Sequence, residues 1–167
     1  MKLKTLRLVA LATLALAAPL AAQTKIGVVD FQQALLATAD MQKQAGDLEA
    51  KFKSRQEELD RLAAELQQIQ TQLQSATGQQ AVQLQNDGAR KQREAQRLSE
   101  DLQSEVDFER DRILQGGAQK MRDVLQKLRE EKALDLIVDI SSVISFNTAL
   151  DLTGAATAAY DTAHPAN

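Results

Sequence analysis

The chain has 167 residues, no Cys, no Trp, one His, and 23 Asp and Glu against 20 Lys and Arg. Zero Cys excludes disulfides and thiolate chemistry, so packing alone must hold the fold. An acidic balance argues against a general binder of nucleic acid or of anionic membranes.

Residues 1–22 read as a secretory signal peptide. Lys2, Lys4 and Arg7 give a basic start, Leu8 to Leu16 is an apolar run too short to span a bilayer, and Ala21-Ala22 ends it with small residues. Cleavage is expected near Ala22, before Gln23, although Leu20 is not the preferred small residue for such a site. Removal takes away three of the 20 basic residues and none of the 23 acidic ones, leaving a net charge of −6. There is no lipoprotein Cys, so a soluble exported protein is expected.

Lys25 to Asp30 predicts a short β-branched strand ending in a helix-capping Asp. Phe31 to Thr38 then starts a helix. Stepping 3, 4, 3, 4 from Phe31 gives Phe31, Ala34, Thr38, Met41, Ala45, Leu48, Phe52, Arg55, Leu59, Leu62, Leu66, Ile69, Leu73 and Ala76. Only Thr38 and Arg55 on this line are not apolar. A narrow stripe at that spacing needs a partner helix along its length.

Ser75 to Gln80 predicts a reversal, with Gly78 as the tip and the C-cap of the first arm. From Leu66 to Asn86 no residue is charged and nine are Gln. The second arm runs to about Lys132 with a looser stripe: Leu98, Leu102, Val106, Ile113, Met121, Val124 and Leu128. Gly116-Gly117 interrupts it. At about 1 kcal/mol per helical Gly relative to Ala, the pair predicts a fray or kink and a hinge. Arms of about 45–50 residues would reach roughly 70 Å, too long for a compact domain, so the hairpin must project.

After Lys132 the period changes to two. Leu134, Leu136 and Val138 predict a second strand, and Val143 to Asn147 a third. Asp151 to Thr153 starts a short Ala-rich helix with weak anchoring, and residues 164–167 form a tail. The two main strands lie symmetrically about the reversal, so the chain should return them to one small sheet.

The expected fold class is therefore α+β and mostly helical. A coiled-coil-like antiparallel hairpin, residues 40–132, projects from a β-rich base, residues 23–39 and 133–163. Such a base is marginal on its own without disulfide or metal, which predicts oligomerisation. Ile26, Val28, Val29, Leu134, Leu136, Val138, Ile144 and Phe146 are the candidate base residues.

No catalytic set is found. His164 is a lone tail residue, and Glu57-Glu58 and Glu130-Glu131 are adjacent on helix surfaces. GxGxxG, GxxxxGK[ST], HExxH and GxSxG are absent. The chain is expected to be no enzyme and to need no cofactor or metal. What remains is a surface, with Phe52, Leu59, Leu66, Ile69, Leu73, Leu98, Leu102 and Phe108 as candidate contacts for a guest chain.

The exported start, KIGVVDFQQALLATA, the Gln- and Lys-containing hairpin with KFKSR and LQSATG, then ALDLIVDISSVISFN and DLT, together resemble the Skp/OmpH family of periplasmic chaperones. The resemblance spans about residues 25–163. It implies a homotrimer whose strands form a small base, with three hairpins enclosing a cavity that holds unfolded outer-membrane proteins without ATP. The family's best-known members are strongly basic, and this chain is acidic with an uncharged tip, which argues against lipid or lipopolysaccharide contact. The alternative is an envelope coiled-coil adaptor docking one defined partner.

Overall fold

The computed structural model describes residues 24–166; the expected signal peptide and its cleavage point lie outside them. The elements are β1 (Ile26–Val29), α1 (Phe31–Leu36), α2 (Ala39–Leu73), α3 (Gly78–Glu131), β2 (Leu136–Asp139) and α4 (Thr153–Ala163), with 3-10 turns at Ile140–Ser142 and Thr148–Leu150. The two arms, α2 and α3, are antiparallel and unequal, 35 and 54 residues long. At about 1.5 Å per residue, α3 extends roughly 80 Å.

The first arm is not one helix from Phe31. Asp30 caps α1, its Oδ1 accepting from the Gln33 N–H at 2.8 Å. The chain then turns at Ala37 and restarts at Thr38. The buried Thr38 hydroxyl donates to the Leu35 carbonyl at 2.8 Å and accepts from the Met41 N–H at 3.2 Å. One hydroxyl thus closes α1 and opens α2, which is why Thr38 occupies an apolar line without breaking it.

At the tip, α2 ends at Leu73 with Gln74 as C-cap, and Gly78 begins α3 with φ of +61°. The expected C-cap role of Gly78 is therefore corrected. The left-handed conformation is present, but it launches the second arm. At the other end of α3 the equivalent task falls to Ala133, with φ of +48°. The Leu134 N–H donates to the Arg129 carbonyl at 2.9 Å and the Ala133 N–H to the Glu130 carbonyl at 3.0 Å, a Schellman closure. This reversal sends β2 back alongside β1.

β1 and β2 pair in parallel, Ile26 opposite Leu136 through Val29 opposite Asp139. The third strand expected at 143–147 is not formed; those residues are an irregular connection between the two 3-10 turns. Asn147 and Asp139 cap those turns through the Ala149 and Ser141 N–H groups, both at 2.9 Å, drawing the backbone out of any ladder. Among the described residues, the sheet is extended only by one bridge, Val28 to Asp151.

The core sits where the arms leave the base. Val29, Ala34, Leu35, Met41, Met121, Val124, Leu128, Ala156 and Tyr160 form one buried cluster. Three of these come from the root of α3, so the base is not an isolated small unit; the arms help build it. The C-terminal helix α4 is firmly anchored, contrary to the sequence expectation. Ala156 and Tyr160 are fully buried, the Thr157 hydroxyl donates to the Ala34 carbonyl at 3.0 Å, and Asp161 accepts from the Ala39 N–H at 2.9 Å.

Candidate functional site

Above the core the arms meet along a thin seam. Phe52, Leu62 and Leu102 are its buried side chains. Leu59, Leu66, Ile69, Leu73 and Leu98 are only half-buried. Of the candidate guest contacts, Phe52 and Leu102 therefore belong to the seam. Phe108 stands out, 68% exposed.

Charged pairs cross between the arms and mark their register. Lys120 meets Asp40 at 3.0 Å, Lys51 meets Glu109 at 2.7 Å, Arg55 meets Glu105 at 2.7 Å, and Lys91 meets Glu65. Arg55 occupies a stripe position and reaches across the seam, which explains a charge on that line. Lys51 holds the Glu109 carboxyl below the usual carboxylate range; burial opposes this and Arg112 adds to it.

The two flanks of the hairpin differ. Lys51, Glu109, Arg55 and Glu105 bridge one flank. At about 100° per residue, Glu49, Lys53 and Gln56 fall on the other side of the Phe52 line. There the seam is open, as a groove of about 520 Å³ whose floor is Ala45, Leu48, Phe52, Leu102 and Val106.

A second apolar groove, about 510 Å³, lies at the base, lined by Val29, Phe31, Leu125, Leu136, Ile137 and Val138 with Arg122 and Arg129 nearby. Of the candidate base residues, Val28 and Val29 are buried within the chain's own fold. Ile26 and Leu136 are 37% and 48% exposed, and Ile144 is fully exposed. Leu134, Val138 and Phe146 are half-buried. The period-two pattern points Leu136 and Val138 to one side, while Ile137 packs on the core. Phe31 and Leu125 were not among the candidates. Phe31 counted only as the first stripe residue, and Leu125 lies off the α3 stripe beside Val124.

Gly116 and Gly117 lie where the hairpin leaves the core. The expected fray is absent, since α3 is helical throughout. Gly117 is buried, and a Cβ there would stand 2.7 Å from Met41 Cε and 3.1 Å from Leu35 Cδ1. Gly116 faces open space.

Below them, Asp40 binds three partners. Tyr160 Oη donates at 2.9 Å, Lys120 Nζ at 3.0 Å and Gln44 Nε2 at 2.8 Å. Enclosure raises the Asp40 pKa, but the hydrogen bonds from Lys120, Tyr160 and Gln44 outweigh it and hold the carboxyl below its usual range. Burial first, then the Asp40 carboxylate, pushes the Tyr160 phenol up. These groups tie three helices together. Among the described residues, no group of three His, Cys, Asp or Glu is placed to hold a metal, and no helix is long and apolar enough to cross a membrane.

The family model described as Outer membrane protein (OmpH-like) matches residues 25–160. The crystal structure of a Caulobacter crescentus protein, described as an outer membrane chaperone (OmpH-like), superposes with a TM-score of 0.69 at 18% identity, covering 85% of this chain and 86% of that one. At that identity the likeness is one of fold. No curated protein matches the sequence.

Proposed function

Because the chain belongs to the OmpH-like family, we propose that it is an ATP-independent holdase of the periplasm. After removal of residues 1–22, three copies join through their bases. The hairpins then surround an unfolded outer-membrane protein and keep it from aggregating.

The observation that carries this reading is the division of the hairpin. Its root is part of a dense core, and the rest projects with only a thin buried seam. About 40 residues of α3 lie beyond Gly117, reaching roughly 60 Å. Such arms offer partly covered apolar side chains and a polar surface. Contacts of that kind are individually weak and exchange quickly, which suits a guest that must later be released. No reaction is required, only exclusion of one unfolded chain from another. The base groove and the exposed Ile26, Leu136 and Ile144 support self-association there.

The test is light scattering of an unfolded porin diluted into buffer with residues 23–167. Suppression of aggregation at about one trimer per porin, without nucleotide, is expected. Unchanged aggregation would favour the adaptor reading, in which the hairpin docks one folded partner.

A further inference from the structure

The open groove and the exposed Phe108 stand at the same height on opposite flanks of one hairpin. Lys51 is level with Glu109, so Phe108 is level with Phe52, which floors the groove. Glu105 and Glu109 mark the bridged flank. Phe108 follows Glu105 by three residues on α3 and therefore projects from that flank. The groove opens on the other one.

We propose that Phe108 of one copy seats in the Leu48–Phe52–Leu102–Val106 groove of its neighbour, so that the arms close side by side at mid-height. The inference rests on the ring of copies proposed above. When each hairpin of a cyclic assembly stands with its two arms in a plane through the ring axis, and all arms point the same way, the bridged flank of each hairpin faces the open flank of the next. A projection and a recess at equal height on opposite flanks then meet in every copy, and the contact closes around the ring. The groove volume of about 520 Å³ accommodates a phenyl ring. A large apolar side chain left 68% exposed gains by that burial. The consequence is a latch. In the empty cage the contacts hold the arms together, and a guest's apolar segments displace Phe108 from the groove as the arms spread.

The sequence has no Cys, so introduced thiols are the only ones present. Arg55 is level with Glu105, so Gln56, on the groove rim, is level with Ser104, one turn from Phe108. Both are exposed. The double variant Ser104→Cys/Gln56→Cys is oxidised without guest and read on a denaturing gel, with its assembly checked by light scattering. Covalent dimers and trimers are expected. Their yield should fall at least tenfold when Phe108→Ser is added and when an unfolded porin is bound. An intact trimer that gives no covalent bands, or bands unaffected by Phe108→Ser, overturns the latch and leaves the cage. Bands lost to Phe108→Ser but not to the guest overturn the displacement. A monomer by light scattering removes the cage and the latch together.

Discussion

Tyr160 donates its phenol hydrogen to Asp40 Oδ2 at 2.9 Å, joining the last helix of the chain to the first turn of the first arm. The ring is fully buried in the core. Tyr160→Phe keeps the ring and loses the bond, leaving Lys120 and Gln44 on Asp40. A loss of about 1–2 kcal/mol is expected. Tyr160→Ala opens a cavity as well and should cost about 3–5 kcal/mol. Urea unfolding of the three proteins under one set of conditions measures both steps, and equal midpoints for wild type and Tyr160→Phe would refute the bond's contribution.

The same pair predicts a stability profile with two falling edges. The Asp40 carboxyl is depressed in the folded state, so its contribution is complete above the unfolded value of 3.8 and is lost as pH falls through the folded one. The Tyr160 phenol is raised, so its contribution is complete below the unfolded value of 10.0 and is lost as pH rises toward the folded one. Unfolding midpoints measured from pH 2 to 12 should decline on both sides of a broad plateau. Asp40→Asn should flatten the acid edge, and Tyr160→Phe the alkaline one.

Ala133 carries a backbone conformation suited to Gly. At φ of +48° its Cβ crowds the following carbonyl, a cost of about 1–2 kcal/mol. The Schellman bonds hold it there because the chain must reverse at this point to bring β2 beside β1. Ala133→Gly removes the crowding at some cost in unfolded-chain entropy and should stabilise the protein by about 1 kcal/mol. Thermal unfolding reads the sign, and a lower midpoint would contradict it.

The hairpin was legible because one narrow stripe has one structural solution, and the family likeness agreed with it. Even the two breaks in the stripe have structural roles, Thr38 as a cap and Arg55 as a cross-seam ion pair. The short segments were harder to read. Val143 to Asn147 has the composition of a strand, but neighbouring Asp139 and Asn147 spend their side chains on local turns, and no period-two pattern records that competition. Anchoring of α4 rests on Tyr160 and Ala156 in the core and on the hydrogen bonds of Thr157 and Asp161, and a single large side chain among small residues is a signal too sparse to outweigh an Ala-rich composition. The two grooves arise from how the flanks of packed elements are left open, which spacing along one chain does not encode.

The adjacent glycines of α3 should respond in opposite directions. Gly116→Ala meets nothing within 4 Å and gains helix propensity, a stabilisation approaching 1 kcal/mol. Gly117→Ala gains the same propensity but drives a methyl against Met41 and Leu35, which are 4% and 5% exposed in a dense core. Overpacking of this kind costs about 1–3 kcal/mol, so a net loss is expected. Spin labels on the arms then address flexing. A narrower inter-arm distance distribution in Gly116→Ala would support a hinge at this level, and an unchanged width would remove it.

Association through the base can be separated from folding at Ile144. The side chain is fully exposed, so Ile144→Asp removes no contact within the chain and should leave a monomer's stability within about 0.5 kcal/mol of wild type. If copies meet through the base with Ile144 in the contact, a carboxylate there is costly, because it must shed water without a partner. Leu136→Lys tests the groove side of the same contact; its side chain is 48% exposed and lines the groove. Either substitution should lower the mass measured by light scattering from the trimer toward the monomer while circular dichroism stays helical. Aggregation suppression should fall with the mass, since one hairpin encloses nothing. A variant that is monomeric yet still protects an unfolded porin in equal measure would show that the arms act singly, and the cage would have no role.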